Sequence, residues 1–222
     1  MTKTVLFALT SHSELGDTGR KTGAYAPEFA HPGSVFEDAG YDLKFVSVGG
    51  GQVPLDGIKD GDVVTHEFLD RPEIRQALSQ TPTASQLEAE DYDVIYFVGG
   101  HGTMWDFRDC QPLKDLAAKI YENGGVVAGV CHGPSALVDL KLSDGSLLVN
   151  GKKVSSFTDQ EESAVGLSQV VPFLLQSALE ANGANHEGGE NFQEYAVADG
   201  RLVTGQNPAS AAKVAELVLP LV

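Results

Sequence analysis

The stretch Gly124-Gly125-Val126-Val127-Ala128-Gly129-Val130-Cys131-His132-Gly133-Pro134 constrains this chain more than any other. Its valine-rich run predicts a buried strand, and Gly-x-Cys-x-Gly places a sharp turn at the end of that strand. Pro134 has a fixed φ suited to a first helical turn, and its missing N–H costs nothing there, so a helix is expected next. With serine at its centre the same pattern is the nucleophile elbow, whose flanking glycines relieve crowding and leave the central side chain exposed above the sheet. Cys131 holds that place here. A thiol so placed faces the positive end of the following helix and has His132 beside it, and both features favour thiolate over thiol. A cysteine after a β-run can also be a small buried apolar residue, but packing alone does not call for two glycines and a proline around it.

Around this element the chain alternates strands with helices. Thr4 to Leu9, Leu43 to Val48, Val94 to Val98 and the run before Cys131 are apolar and strand-like, each ending in a loop rich in Gly or Ser. Thr22 to Ala39 has helical spacing interrupted at Pro27 and Pro32-Gly33, which predicts a helix broken or restarted near Pro32 and ending at Gly40. Pro112 to Tyr121 is a second helix. Residues 52–93 are punctuated by Pro54, Gly57, Gly61, Pro72 and Pro82, with helices expected at Arg71 to Gln80 and Ala84 to Glu90; a stretch this long reads as an insertion near the strand ends.

Beyond the elbow, Asn150-Gly151 predicts a hairpin between Leu147-Leu148-Val149 and Lys153 to Ser156, and Asp199-Gly200 a second between Tyr195 to Ala198 and Leu202 to Thr204. Thr158 with Glu161 forms a capping box at a helix start, Pro172 to Ala181 is helical, and Asn207-Pro208 caps a last helix through Leu217. The expectation is an α/β protein with a mostly parallel central sheet covered on both faces, extra hairpins, and a site off the carboxyl ends of the strands. A length of 222 residues with 42% apolar composition suits a single domain spanning 1–222.

Composition excludes some functions. A net charge of −16 argues against nucleic-acid or anionic-membrane partners, which call for basic patches. Two cysteines, Cys110 and Cys131, cannot form a secretory disulfide framework; the apolar run after Met1 is too short for a signal peptide, and no stretch approaches membrane-spanning length. A cytoplasmic protein is expected. His186-Glu187-Gly188-Gly189-Glu190 imitates a zinc motif but ends in glutamate and carries paired glycines unsuited to a helix, so no metal site is expected. Gly99-Gly100-His101-Gly102-Thr103 leaves backbone amides open to a substrate oxygen; Gly100 or Gly102 N–H together with His132 N–H are the oxyanion candidates, and His101 lies in the same substrate-binding loop. Trp105 is either a pocket wall or core, and Cys110 reads as a buried helix-start residue without a role.

The motifs Lys21-Thr22-Gly23, Pro27-Glu28-Phe29-Ala30-His31-Pro32, Gly99 to Thr103, Val130 to Pro134, Phe157-Thr158-Asp159 and Gly200 to Pro208 together resemble the ThiJ/PfpI superfamily and, within it, the branch of heat-shock-chaperone-like, cofactor-independent glyoxalase III enzymes. The resemblance runs nearly end to end and implies a flavodoxin-like three-layer sandwich related to class I glutamine amidotransferases. It implies a nucleophile at Cys131, a histidine at His132, and a strand-end glutamate at Glu28 that hydrogen-bonds the cysteine. The acid that orients the histidine falls on Glu162, with Glu161 and Asp159 open as alternatives because two glutamates adjoin. The implied activity is conversion of methylglyoxal to D-lactate with no cofactor, on a small 2-oxoaldehyde substrate and in a homodimer. A cysteine amidase, peptidase or deglycase, and a holdase chaperone or redox sensor using Cys131, are the alternative readings.

Overall fold

The structure, a computed structural model, describes residues 2–222. Strand β1 (Thr4–Leu9) leads through a loop to β2 (Ala24–Tyr25) and helix α1 (Pro27–Asp38); β3 (Asp42–Ser47) and β4 (Leu55–Asp56) follow, then the helix pair α2 (Val63–Asp70) and α3 (Pro72–Ser79). Next come β5 (Val94–Phe97), the single-turn α4 (Thr103–Asp106), α5 (Gln111–Glu122) and β6 (Val126–Val130). The remainder contains β7 (Lys153–Val154), α6 (Asp159–Ala164), α7 (Leu175–Ala181), β8 (Asn185–His186), β9 (Ala196–Asp199), β10 (Leu202–Gly205) and α8 (Ala211–Val218).

Six strands form one sheet in the order β3-β1-β5-β6-β10-β9, parallel throughout except for the edge strand β9, which pairs antiparallel with β10. The period-two alternation of each strand divides its side chains between two cores. Val5, Phe7, Leu9, Tyr96, Ala128 and Val203 face α1 and α8, meeting Phe29, Phe36, Val214 and Val218. Leu6, Ala8, Ile95, Phe97, Val127 and Leu202 face α5 and the segment beyond the elbow, meeting Leu113, Leu116, Ile120 and Leu137. Each such fully buried side chain is worth ~1.5–3 kcal/mol, so both faces hold the sheet rigid under the site. This is the mostly parallel α/β sandwich expected from the strand pattern.

Several local expectations are overturned. Helix α1 is continuous through Pro32, because the packing of Phe29, Ala30 and Phe36 outweighs the one hydrogen bond that Pro32 cannot donate. The Asn150-Gly151 turn forms, with Gly151 at φ 74°, but no hairpin closes across it. Leu148 and Val149 are buried in the second core, and β7 pairs instead, in parallel, with the distant β8. The Asp199-Gly200 hairpin is present, with Asp199 opposite Leu202. Residues 63–70, for which no element was expected, form α2, capped by the Asp62 side chain, and Phe68 packs edge-on against Phe29. Ala84 to Glu90 holds two short 3-10 turns rather than a helix. Asn207 does not cap; its amide donates to Glu161 and to the Gln193 carbonyl.

The elbow is followed not by an α-helix but by a 3-10 turn, Gly133–Leu137. Val138 is already extended at ψ 124°, which ends the turn, and Asp139 follows in left-handed backbone at φ 58°, gripped by Arg108 and Asn182. The helix dipole invoked above for Cys131 is therefore weak.

Candidate active site

Cys131 takes φ 58°, left-handed backbone that a non-glycine residue rarely adopts. The strain is held from both sides, since its N–H donates to the Gly205 carbonyl at 2.9 Å and its own carbonyl accepts from Phe157 N–H at 2.9 Å. Gly133 is obligatory because a Cβ there would lie 2.1 Å from the Phe97 carbonyl oxygen. Glycine at position 100 has an equally specific cause. At φ 100° its missing Cβ would sit 2.2 Å from the Gly23 oxygen. The backbone N–H groups of Gly100 and His132 converge on the sulfur and favour its anionic form. Gly102 does not share in this: its Cα packs against Thr10 and the His12 carbonyl, and it does not line the pocket.

Glu28 sits in the first turn of α1 rather than at a strand end, and it is fully buried. A Cβ on Gly99 would lie 2.4 Å from Glu28 Oε2 and 2.9 Å from Cys131 Cβ, so only glycine at 99 lets carboxyl and cysteine come together. At strict hydrogen-bonding geometry both Glu28 oxygens are without a partner among the described residues, while the Cys131 thiol and Gly99 N–H interact with the carboxyl more loosely. Burial pushes the Glu28 pKa up to about 8 against these two contacts, so the carboxyl keeps its proton at neutral pH. Burial, then the Glu28 charge, also push the Cys131 thiol well up, opposed by the His132 and Gly100 N–H groups. The resting cysteine is a thiol, the reverse of the expectation drawn from the elbow alone.

On the other side of the sulfur, His132 Nδ1 lies 3.3 Å from Sγ, and His132 Nε2 lies 2.7 Å from Glu162 Oε2. Burial and the neighbouring His101 lower the His132 pKa to about 4, with Glu162 acting in the opposite direction. Burial disfavours the Glu162 anion, but hydrogen bonds from His101 and His132 outweigh it and hold its pKa at about 2. An ionised carboxylate only accepts, so both imidazoles turn an Nε2–H toward it: His132 at Oε2 and His101 at Oε1, 2.9 Å away. His132 Nδ1 is then left as a lone pair facing the thiol.

Glu161 points elsewhere. It closes the capping box with Thr158 and accepts from Phe192 N–H, Gln206 and Asn207. Asp159 is bonded to Ser177. The ligand-bearing atoms of His101, His132 and Glu162 lie within 4.8 Å of one another, the one grouping of three such residues among the described residues. Both of its imidazole N–H groups are already spent on the carboxylate. His186 lies away from this group, its Nε2 accepting from Ser156 N–H.

These side chains open into a cavity of about 380 Å³, lined by Tyr25, Lys59, Gly100, His101, Cys131, His132, Phe157, Val165, Phe192, Asn207, Pro208 and Ala209. A larger hollow of about 510 Å³ near Leu55 and Arg75 is lined by no cysteine, histidine or carboxylate. Sequence reading missed Tyr25, Lys59, Val165, Phe192 and Ala209 as lining residues, while Gly100, His101, Cys131, His132, Phe157, Asn207 and Pro208 stood in recognised motifs. Trp105 stacks on His12 and does not line this cavity.

The sequence profile of the DJ-1/PfpI family matches residues 21–220, which takes in the elbow, Glu28 and Glu162. The chain belongs to the DJ-1/PfpI family. Among relatives, it is 35% identical to Glyoxalase 3 of Candida albicans, over 97% of this chain and 96% of that protein. It is 34% identical to the glutathione-independent glyoxalase HSP31 of Saccharomyces cerevisiae, over 94% of this chain and 93% of the other. The crystal structure of Candida albicans glyoxalase III superposes with a TM-score of 0.90 at 34% identity, covering 99% of this chain and 97% of that one. The flavodoxin-like arrangement described above is thus that of the DJ-1/PfpI fold. No helix among the described residues is long and apolar enough to cross a membrane.

Proposed function

We propose that this chain is a glutathione-independent glyoxalase, converting methylglyoxal and related 2-oxoaldehydes to 2-hydroxy acids. The observation that carries the reading is a cysteine placed between a protonated buried carboxyl and an imidazole lone pair, with two N–H groups aimed at the sulfur.

Each group has a task in this chemistry. As sulfur bonds to the aldehyde carbon C1, the thiol proton passes to His132 Nδ1 and Glu28 protonates the aldehyde oxygen, giving a thiohemiacetal. The Glu28 carboxylate then removes the C1 hydrogen while His132 returns its proton to the C2 oxygen, forming an enediol. Glu28 next delivers its proton to C2 and the C1 hydroxyl proton goes to His132, leaving a thioester of the 2-hydroxy acid. Water attacks the thioester, Glu28 takes a water proton, and the departing sulfur recovers its proton from His132. A carboxyl with a pKa near 8 suits these alternating roles, because it gives and takes a proton at comparable cost near neutral pH. Glu162 stabilises the transient imidazolium and holds the ring in its working tautomer.

The test is lactate formation from methylglyoxal by the purified protein in EDTA and without glutathione. Cys131→Ala is expected to abolish turnover, because no other group can form the covalent adduct. Equal rates in the two proteins, or no lactate from the wild type across a range of pH, would leave the cysteine-hydrolase and chaperone readings standing.

A further inference from the structure

A three-carbon aldehyde held at Cys131 fills only the inner end of a cavity of about 380 Å³. Beside Tyr25, Lys59 and Asn207, the lining of the remainder is apolar. Phe157 stacks near His132 with ring centroids 4.4 Å apart, and Phe192 follows 6.2 Å beyond Phe157, so aromatic faces lead from the reacting centre to the mouth. Val165, Pro208 and Ala209 extend the same apolar wall. At the mouth Phe192 is 46% exposed and Val165 42% exposed, an arrangement that leaves apolar surface in water until something covers it.

Phe192 is also a strained residue. Its φ of 61° lies in the left-handed region, where a bulky side chain is disfavoured. Glu161 imposes that conformation. Its carboxylate, fully buried, accepts from Phe192 N–H at 2.7 Å, Gln206 Nε2 at 3.0 Å and Asn207 Nδ2 at 2.9 Å, while its other oxygen accepts from Thr158 N–H at 3.0 Å. One anion thereby ties the Phe192 loop to Asn207, next to Pro208 and Ala209, and to the helix that carries Glu162. Backbone strain maintained by a built network at a pocket mouth points to a seat for the ligand.

We infer that the pocket takes 2-oxoaldehydes bearing an apolar or aromatic substituent, the dicarbonyl end reaching Cys131 and the substituent resting on Phe157, Val165 and Phe192. Glu161 is the positioning residue of this subsite. The inference rests on the glyoxalase reading above and adds the substrate class to it.

The experiment compares kcat/KM for methylglyoxal and phenylglyoxal in the wild type, Phe192→Gly, Glu161→Gln and a control, Val63→Ala, an exposed apolar residue outside the pocket. The wild type is expected to prefer phenylglyoxal, and Phe192→Gly to lower the ratio of the two kcat/KM values about tenfold, the scale of one aromatic contact in an apolar site. Glycine accepts the positive φ, so this variant folds without the strain and its thermal midpoint should hold or rise. Glu161→Gln should raise KM for phenylglyoxal with kcat little changed, a split that general loss of folded protein does not produce. Val63→Ala should leave the ratio at the wild-type value. If methylglyoxal is turned over but the ratio is the same in Phe192→Gly as in the wild type, the subsite is refuted while the glyoxalase reading stands. If neither aldehyde is turned over, the glyoxalase reading itself falls, and the subsite with it.

Discussion

Replacing Glu28 by glutamine keeps the shape of a fully buried side chain and removes its proton. In the unfolded chain this carboxyl titrates near 4.5, whereas the folded protein holds the proton up to about pH 8. Below the lower value both states are protonated and the residue has no effect on the pH dependence. Between the two values the unfolded chain binds fewer protons, so stability falls as pH rises, by ~1.4 kcal/mol per unit; above the upper value the loss is complete at ~5 kcal/mol. Glutamine has no such slope. The stability of the wild type minus that of Glu28→Gln should therefore decrease by ~3 kcal/mol between about pH 5 and about pH 7, equivalent to about 6–12 °C in thermal midpoint for a chain of this size. Urea unfolding of both proteins at a series of pH values measures it. A difference that stays constant across that range would refute the raised pKa and the proton donation built on it.

Glu162→Gln replaces an acceptor-only group by one that also donates, freeing His132 to take the wrong tautomer; kcat should drop on the order of 10²-fold with the fold intact by circular dichroism, and a kcat within twofold of wild type would refute the assignment. It should also move the acidic limb of the kcat profile downward, since Glu162 at present holds the His132 pKa up against burial. Gly100→Ala puts a Cβ 2.2 Å from the Gly23 oxygen in a conformation disfavoured for alanine, and should destabilise by ~3 kcal/mol, with an unchanged melting temperature as the refuting result. Because the Glu28 charge raises the Cys131 thiol, Glu28→Gln should alkylate faster than wild type at Cys131 with iodoacetamide above pH 8, Cys110 serving as internal reference; equal rates would contradict the coupling.

What could be read in the residues themselves was whatever depends on local pattern. Three of the apolar runs, β1, β5 and β6, became central parallel strands because a strand buried on both faces must be apolar throughout, while β3, at the sheet edge, keeps exposed Asp42 and Lys44. The Thr158–Glu161 capping box formed because its partners are three residues apart. What escaped reading depends on distant partners. Val154 pairs with His186 rather than across the nearby turn, since Leu148 and Val149 gain more from the core than from a hairpin rung. Phe192 and Lys59 sit in loops with no periodicity, and their places at the pocket follow from contacts no spacing reveals. The state of Cys131 was misread for a related reason. A helix dipole was inferred from Pro134, while the burial and the Glu28 carboxyl that decide the thiol come from α1, about a hundred residues earlier.

A single carboxylate shared by two imidazoles also determines how this protein will answer to pH. His101, Glu162, His132, Cys131 and Glu28 form one unbroken line of ionisable groups, each within reach of the next. In such a line a proton gained at one end changes the affinity at every other member, so the midpoints of a rate profile belong to the whole set and not to any one side chain. A substitution at His101, which has no direct contact with the sulfur, should consequently register in the apparent ionisation of Cys131.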